Sequence, residues 1–261
     1  MRDKQPVIAV VAVVLVVIGF VWLANVLTAS PGVTASPSPT TTDPAASTDP
    51  TASVAPTSTA PTVAPTLLPG CTPVPAVQTN PKKMTSPPDV EGARGKTFLA
   101  TINTNCGPIT VSLDGTKAPA TVSSFLLLAK ENYWAPSPCH RLTGDTEGLW
   151  VLQCGDPTGT GSGPGPGYRY GIENAPADGK YPAGTIAMAR TSDPNSNGDQ
   201  FFIVYKDTTL PTAGGGYSIF GQVTSGMDIV NKIAAAGVNP TDQMSPLAPI
   251  SILSVSTKAK G

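Results

Sequence analysis

The chain has 261 residues, enough for one large domain or two small ones, but 29 Pro and 26 Gly, unevenly spread, leave fewer residues to order than that length allows. A formal net charge of -1 supplies no basic face for nucleic acid or an anionic membrane surface. Four Cys and one His, with no Cys-x-x-Cys or His-x-x-x-His spacing, argue against zinc or another metal site.

Val7 to Leu27 (VIAVVAVVLVVIGFVWLANVL) carries no charge over about 20 residues, the length a helix needs to cross a bilayer core. In lipid a chain must satisfy its backbone groups internally, so helix is the expected form despite the many Val and Ile. Arg2 and Lys4 precede this segment and no charge follows it until Asp43, which puts residues 1–6 in the cytoplasm and the rest outside. Trp22 falls near the outer interface. The competing reading is a cleaved signal peptide, supported by small residues at Ala29 and Ser30. Its apolar core is usually only about 7–15 residues, so the length favours a retained single-pass anchor in the cell membrane.

Residues 28–95 form a tract of Pro, Thr, Ser, Ala and Val. Frequent Pro removes backbone donors and fixes φ, and few large side chains are present to offset the entropy of ordering. The expectation is a disordered linker, a spacer between membrane and domain; an O-glycosylated stalk is a second reading the composition permits.

From residue 96 to 258 the texture becomes that of a folded domain. Thr97–Asn103 and Pro108–Leu113 read as strands joined by turn chemistry at Asn105-Cys106-Gly107, a hairpin. Thr121–Trp134 reads as helix, with Val122, Phe125, Leu126 and Ala129 on one face. Leu149–Gln153, Thr185–Ala189, Phe201–Val204 and Ser218–Val223 read as further strands. A second helix is expected over Met227–Ala236, stopped at Gly237, followed by a strand at Ile250–Val255. Many short strands with two helices and long Gly/Pro loops suggest a mainly β domain, a closed barrel capped by helices.

Five blocks in this order, CHRL, VLQCGDPTGTG, GTIAMAR, NSNGDQFFIVY and YSIFGQV, resemble the cyclophilin family of peptidyl-prolyl cis-trans isomerases. The likeness spans roughly Lys96 to Ser256, and the stalk and cysteines resemble exported, membrane-anchored bacterial members. It implies an eight-stranded antiparallel closed barrel with a helix over each end and an active groove on its outer face. It also implies isomerisation of X-Pro bonds in Pro-containing segments of exported proteins, without cofactor or metal.

By this resemblance Arg141 matches the catalytic arginine, and Gln153 and Gln200 the groove glutamines that position it and bond the substrate backbone. Phe202 matches the floor of the proline pocket, and Trp150, Val151 and Leu210 its lining. Gln200 and Phe202 are two apart on a strand, so they face the same side. Gly161 and Ala189 match backbone-contact positions. Three positions depart from the best-known members: a pocket-edge Trp of the family is replaced near Thr209, a pocket His is replaced by Tyr217, and an Asn is replaced by Arg190. Losing the Trp implies weaker binding of cyclosporin, and Arg190 adds a positive charge that would favour acidic flanking residues. His140 matches a structural position; without a Gly-x-Ser-x-Gly elbow it is no hydrolase base. The run Gly159–Gly167 lacks the Lys-Ser/Thr of a phosphate loop. Four Cys allow three pairings; the family framework implies Cys139–Cys154 and Cys71–Cys106.

Overall fold

The first hairpin forms where turn chemistry interrupts two alternating runs. In a computed structural model, which describes residues 64–260, β1 (Thr97–Thr104) and β2 (Gly107–Asp114) pair antiparallel around the two-residue turn Asn105-Cys106. The Thr104 hydroxyl donates to the Gly107 carbonyl at 2.6 Å and accepts from the Cys106 amide at 3.1 Å, so the turn satisfies its own polar groups. The chain continues through α1 (Pro119–Lys130), β3 (Ser137–Pro138), β4 (Arg141–Leu142), β5 (Val151–Cys154), β6 (Lys180–Tyr181), β7 (Thr185–Met188), β8 (Phe201–Val204), β9 (Thr208–Thr209), β10 (Ile219–Ser225), α2 (Met227–Ala236) and β11 (Ser251–Ala259).

Helix α1 begins two residues before the expected Thr121 and stops short of the expected Trp134. Pro119 sits in the first turn, where its missing N–H costs nothing. The free amides of Ala120 and Thr121 donate to the Glu173 carboxylate at 3.0 and 2.8 Å, a cap supplied from a distant loop. At the other end Asn132 takes φ 51°, breaking the helix and dropping Tyr133 and Trp134 into the core. Helix α2 matches its expected span, and Gly237 at φ 87° ends it.

The closed eight-stranded barrel expected from the sequence is not what forms. Among the described residues nine strands make one sheet in the order β3-β11-β1-β2-β10-β7-β8-β5-β4, all antiparallel. The sheet curls, but no ladder joins its edges β3 and β4. Each edge is two residues long, Pro138 has no N–H to donate, and the chain passes from one edge to the other through Cys139 and His140. A separate two-stranded ladder pairs β6 with β9.

Side chains alternate between two apolar clusters. Leu152 and Cys154 of β5, Phe201 and Ile203 of β8, and Ile186 and Met188 of β7 enter the main core with α1 and α2 residues. Their neighbours Val151, Phe202, Val204 and Ala187 face the other way and join Tyr181 and Leu210 in a smaller cluster. Both expected disulfides, Cys71–Cys106 and Cys139–Cys154, are present.

The expected transmembrane segment, 7–27, lies outside the described residues, as does linker 28–63. Among the described residues no helix is long and apolar enough to cross a membrane. From residue 64 onward the stretch expected to be disordered linker is instead laid on the domain. Pro81 is buried, Leu68 and Met84 pack against the main core, and the Thr66 and Thr72 amides donate to the Leu247 and Asn105 carbonyls at 3.0 and 2.8 Å. The physical reason is that partners outside the segment satisfy its backbone and cover its few apolar side chains, which composition does not reveal.

Candidate active site

Sheet register assembles the site. Arg141 of β4 lies opposite Gln153 of β5, Gln153 opposite Phe202 of β8, and Phe202 opposite Ala187 of β7, one cross-strand row on the outer face. Adjacent strands are about 4.8 Å apart, so the guanidinium arm starts roughly 10 Å from the aromatic ring. Gln200 precedes Phe202 by two residues and shares its face.

A chain of side-chain hydrogen bonds fixes the polar half. Gln200 Nε2 donates to the Gly161 carbonyl at 3.1 Å, Gln153 Nε2 donates to Gln200 Oε1 at 2.9 Å, and Arg141 Nη1 donates to Gln153 Oε1 at 3.4 Å. Among the described residues this is the only hydrogen bond the Arg141 guanidinium donates, which leaves its other N–H groups for a ligand. All three side chains are half-buried. A cavity of ≈ 140 Å³ opens beside them, lined by Gln153, Gly161, Ala189, Arg190, Asp199 and Gln200. It adjoins a groove of ≈ 730 Å³ along Gly161–Arg169.

Gly161 borders both cavities and has a further role in the site. Its carbonyl is occupied by Gln200, and its φ of 73° is one that side chains rarely adopt. A Cβ there would lie 3.0 Å from the His140 ring, so only glycine lets this loop rest on the imidazole. His140 is buried; burial lowers its pKa, and the nearby Arg141 charge lowers it further. It is therefore neutral at pH 7 and serves as packing.

The apolar half is a trio of rings. Phe202 meets Tyr217 edge-on at 5.7 Å and Tyr181 at 6.3 Å, with Val151 and Leu210 in the same cluster. Phe202 is 4% exposed, so the rings nearly cover the floor. Tyr181 was not singled out in the sequence. Its hydroxyl donates to the Tyr217 carbonyl at 3.0 Å and accepts the Tyr217 amide at 2.9 Å, fixing that ring's backbone. The signal that could have found it is a lone Tyr beside Pro182, in the two-residue strand that pairs with Thr208–Thr209.

Trp150, expected in the lining, is placed elsewhere. It precedes β5, on the opposite parity from Val151 and Gln153. Its indole donates to Asp145 at 3.0 Å and its ring lies 4.1 Å beneath the Lys206 ammonium. Thr209 is exposed at the end of β9. Arg190 does border the cavity, but its guanidinium is engaged: it donates to the Gly216, Thr191 and Ala213 carbonyls at 2.7, 2.8 and 3.2 Å and lies 5.1 Å from the Tyr217 ring centre.

Two carboxylates support the groove from behind. Asp156 accepts from the Thr158 amide and hydroxyl, the Thr160 hydroxyl and the Gly163 amide. Burial opposes its ionisation, yet these bonds outweigh it and hold its pKa below the ordinary value. Asp199 accepts only the Tyr133 hydroxyl among side-chain donors, at 2.5 Å; burial, with Asp156's charge adding, raises its pKa to about 6. Among the described residues no group of three or more His, Cys, Asp or Glu is placed to hold a metal ion.

Comparison with known proteins bears on this arrangement. Residues 99–257 match the sequence model of the family described as cyclophilin type peptidyl-prolyl cis-trans isomerase. "Probable peptidyl-prolyl cis-trans isomerase B" of Mycobacterium tuberculosis is 40% identical over 147 residues, covering 52% of this chain and 46% of that protein. The match thus spans about half the length of that relative. "Peptidyl-prolyl cis-trans isomerase-like 1" of Emericella nidulans is 35% identical over 154 residues, covering 59% of this chain and 90% of that protein. A Cryptosporidium parvum cyclophilin-type isomerase, solved also in the presence of the dipeptide Ala-Pro, superposes with TM-scores of 0.53 and 0.52 at 28% and 29% identity. The first of these alignments covers 63% of this chain and 99% of that one.

Proposed function

The chain belongs to the cyclophilin-type peptidyl-prolyl cis-trans isomerase family, and on that footing we propose that it accelerates rotation about X-Pro peptide bonds. The observation that carries the proposal is the hydrogen-bond chain Gly161–Gln200–Gln153–Arg141, whose Gln153 lies directly opposite Phe202 on the neighbouring strand. Amide resonance opposes twisting with a barrier of about 18–20 kcal/mol. No nucleophile or hydrolytic water is needed, only a hold on the proline ring and a charge that favours the twisted amide.

In this reading the proline ring enters among Phe202, Val151, Leu210 and Tyr217. Gln153, Gln200 and the Ala189 backbone hold the flanking residues. As the amide twists, its nitrogen regains a lone pair, and a free N–H of Arg141 stabilises that density more than the planar ground state. Because Arg141 is already held by Gln153, less side-chain entropy is lost at the transition state. A charge-assisted hydrogen bond contributes about 1.5–3 kcal/mol, roughly tenfold to a hundredfold in rate.

We place this activity outside the cytoplasm, on exported proteins, with residues 7–27 as a single-pass anchor. What supports this is the length of the uncharged run, the cations before it, and two disulfides, which persist in oxidising compartments. Protease accessibility of the domain in intact cells tests the placement.

A second reading, a fold that binds Pro-containing peptides without turnover, is favoured by one observation: Arg190 and Tyr217 form an ordered wall where family members carry other residues. NMR exchange on an Ala-Pro peptide separates the two. Isomerase activity in wild type that falls about tenfold or more in Arg141→Ala supports the enzyme. Saturable peptide binding with an unaccelerated exchange rate supports the binding module.

A further inference from the structure

The segment before the domain does more than cover it. Its residues reach both ends of the loop that carries Gly161, and that loop is otherwise short of regular structure. At the loop's start the Gln78 amide donates to the Pro157 carbonyl at 3.0 Å, and Val77 lies against Gly159. At its end the Met84 amide donates to the Pro166 carbonyl at 2.7 Å, and a Cβ on Gly167 would come within 2.7 Å of the Met84 carbonyl oxygen. The Gln78 side chain donates from Nε2 to the Tyr133 and Pro136 carbonyls, both at 2.9 Å. Upstream, Cys71–Cys106 and a pair of bonds between Thr72 and Asn105 anchor the strap to the β1–β2 turn. Lys82 pairs with Glu131 at the end of α1.

We infer that residues 71–84 are part of the scaffold of the active site, and that Gln78 is a positioning residue. Its side chain pins the strap to the Tyr133 and Pro136 carbonyls, which fixes the backbone amide that holds Pro157. Through the loop this fixes the Gly161 carbonyl that Gln200 uses to orient Gln153 and Arg141. Asp156 holds the middle of the loop on both sides of Gly161, through Thr158, Thr160 and Gly163, but neither of its ends. The strap supplies the outer restraints at Pro157 and Pro166, both of which are buried. A loop free to shift by a fraction of an ångström would carry the Gly161 carbonyl away from Gln200, and each downstream bond depends on the one before it. Two tethers made from backbone amides explain why the sequence here can be plain: Gln78 and Lys82 contribute the side chains that link the strap to the turn after α1.

This inference rests on the isomerase reading above, and its test separates the two. In the full chain, Gln78→Ala removes both side-chain donors, and the expected result is a fall in kcat of about fivefold with the domain still folded. Its side-chain amide signature is a shift of the Gln153 and Gln200 NH₂ resonances. In a Gln200→Leu background the same substitution should add nothing further, because the route to Arg141 is already cut. A second variant, Cys71→Ser with Cys106→Ser, frees the upstream anchor without touching the groove and should shift the same resonances. An active wild type with unchanged kcat and unmoved amide signals in both variants overturns the inference, as does full additivity with Gln200→Leu. An inactive wild type overturns the isomerase reading instead, and the amide shifts then decide the positioning claim alone.

Discussion

Replacing Asp199 with Asn tests the electrostatics behind the groove. The carboxylate is 6% exposed and has one side-chain donor, the Tyr133 hydroxyl. Its pKa is raised from the ordinary 3.8 to about 6, burial first and Asp156 adding. The gap of about 2 units corresponds to about 3 kcal/mol. A carboxyl that binds its proton more tightly folded than unfolded gives stability that is complete below pH 4 and lost as the pH climbs to about 6. Asn cannot ionise, and its carbonyl still accepts from Tyr133. The variant should therefore gain on wild type progressively between pH 4 and 6, by up to about 3 kcal/mol, and hold that gain to pH 8. Urea unfolding of both proteins at intervals across this range measures it. Two other groups titrate nearby: His140, lowered from 6.5 by burial, destabilises the fold as pH falls, and Asp156 is lowered from 3.8 by its hydrogen bonds and acts below the window. Both are common to the two proteins, so taking the difference removes them. A stability difference that is flat from pH 4 to 8 would refute the reasoning.

Three further outcomes are expected. Tyr181→Phe leaves the Tyr217 amide and carbonyl without their partner, costing about 1–3 kcal/mol and raising KM for a Pro peptide, readable by urea melts and peptide titration; an unchanged KM counts against the ring trio as the pocket. Arg190→Gln should loosen residues 213–217 and erase any preference for Glu-flanked over Lys-flanked Pro peptides at low salt; equal turnover of the two peptides by wild type removes the charge argument. Cys139→Ala with Cys154→Ala opens a loop of 15 residues and should lower stability by about 3 kcal/mol, with a smaller loss of turnover, because the bridge lies in the main core behind Arg141 and Gln153.

Much of the scaffold was legible because it depends on local chemistry. The hairpin around Asn105-Cys106 and helix α2 ending at Gly237 follow from turn residues and periodicity. Helix α1 was read too long because Tyr133 and Trp134 continue the apolar pattern, while Asn132 turns the chain beneath them. Strands β3, β6 and β9 are each two residues long; they exist only as pairing with partners far along the chain, which no window of sequence contains. The linker reading failed from residue 64 for the same reason: Leu68, Gln78, Pro81 and Met84 find their partners in the domain.

The sequence by itself determined the candidate list, because Arg141, Gln153, Gln200 and Phe202 sit in blocks whose order and spacing resemble one family. Matching residues, however, does not say which cluster each of their neighbours joins. The runs FFIV and TIAM are buried on both sides, so alternation of polar and apolar residues is erased there, and only the resemblance, with Gln200 two residues before, singled out Phe202 over Phe201. Sheet register puts Phe201 in the main core and Phe202 in the groove cluster, and only the tertiary structure decided that Trp150 stands outside that cluster while Tyr181 joins it. Burial on two faces depends on what the rest of the chain lays over the sheet, and that is a property of the assembled fold.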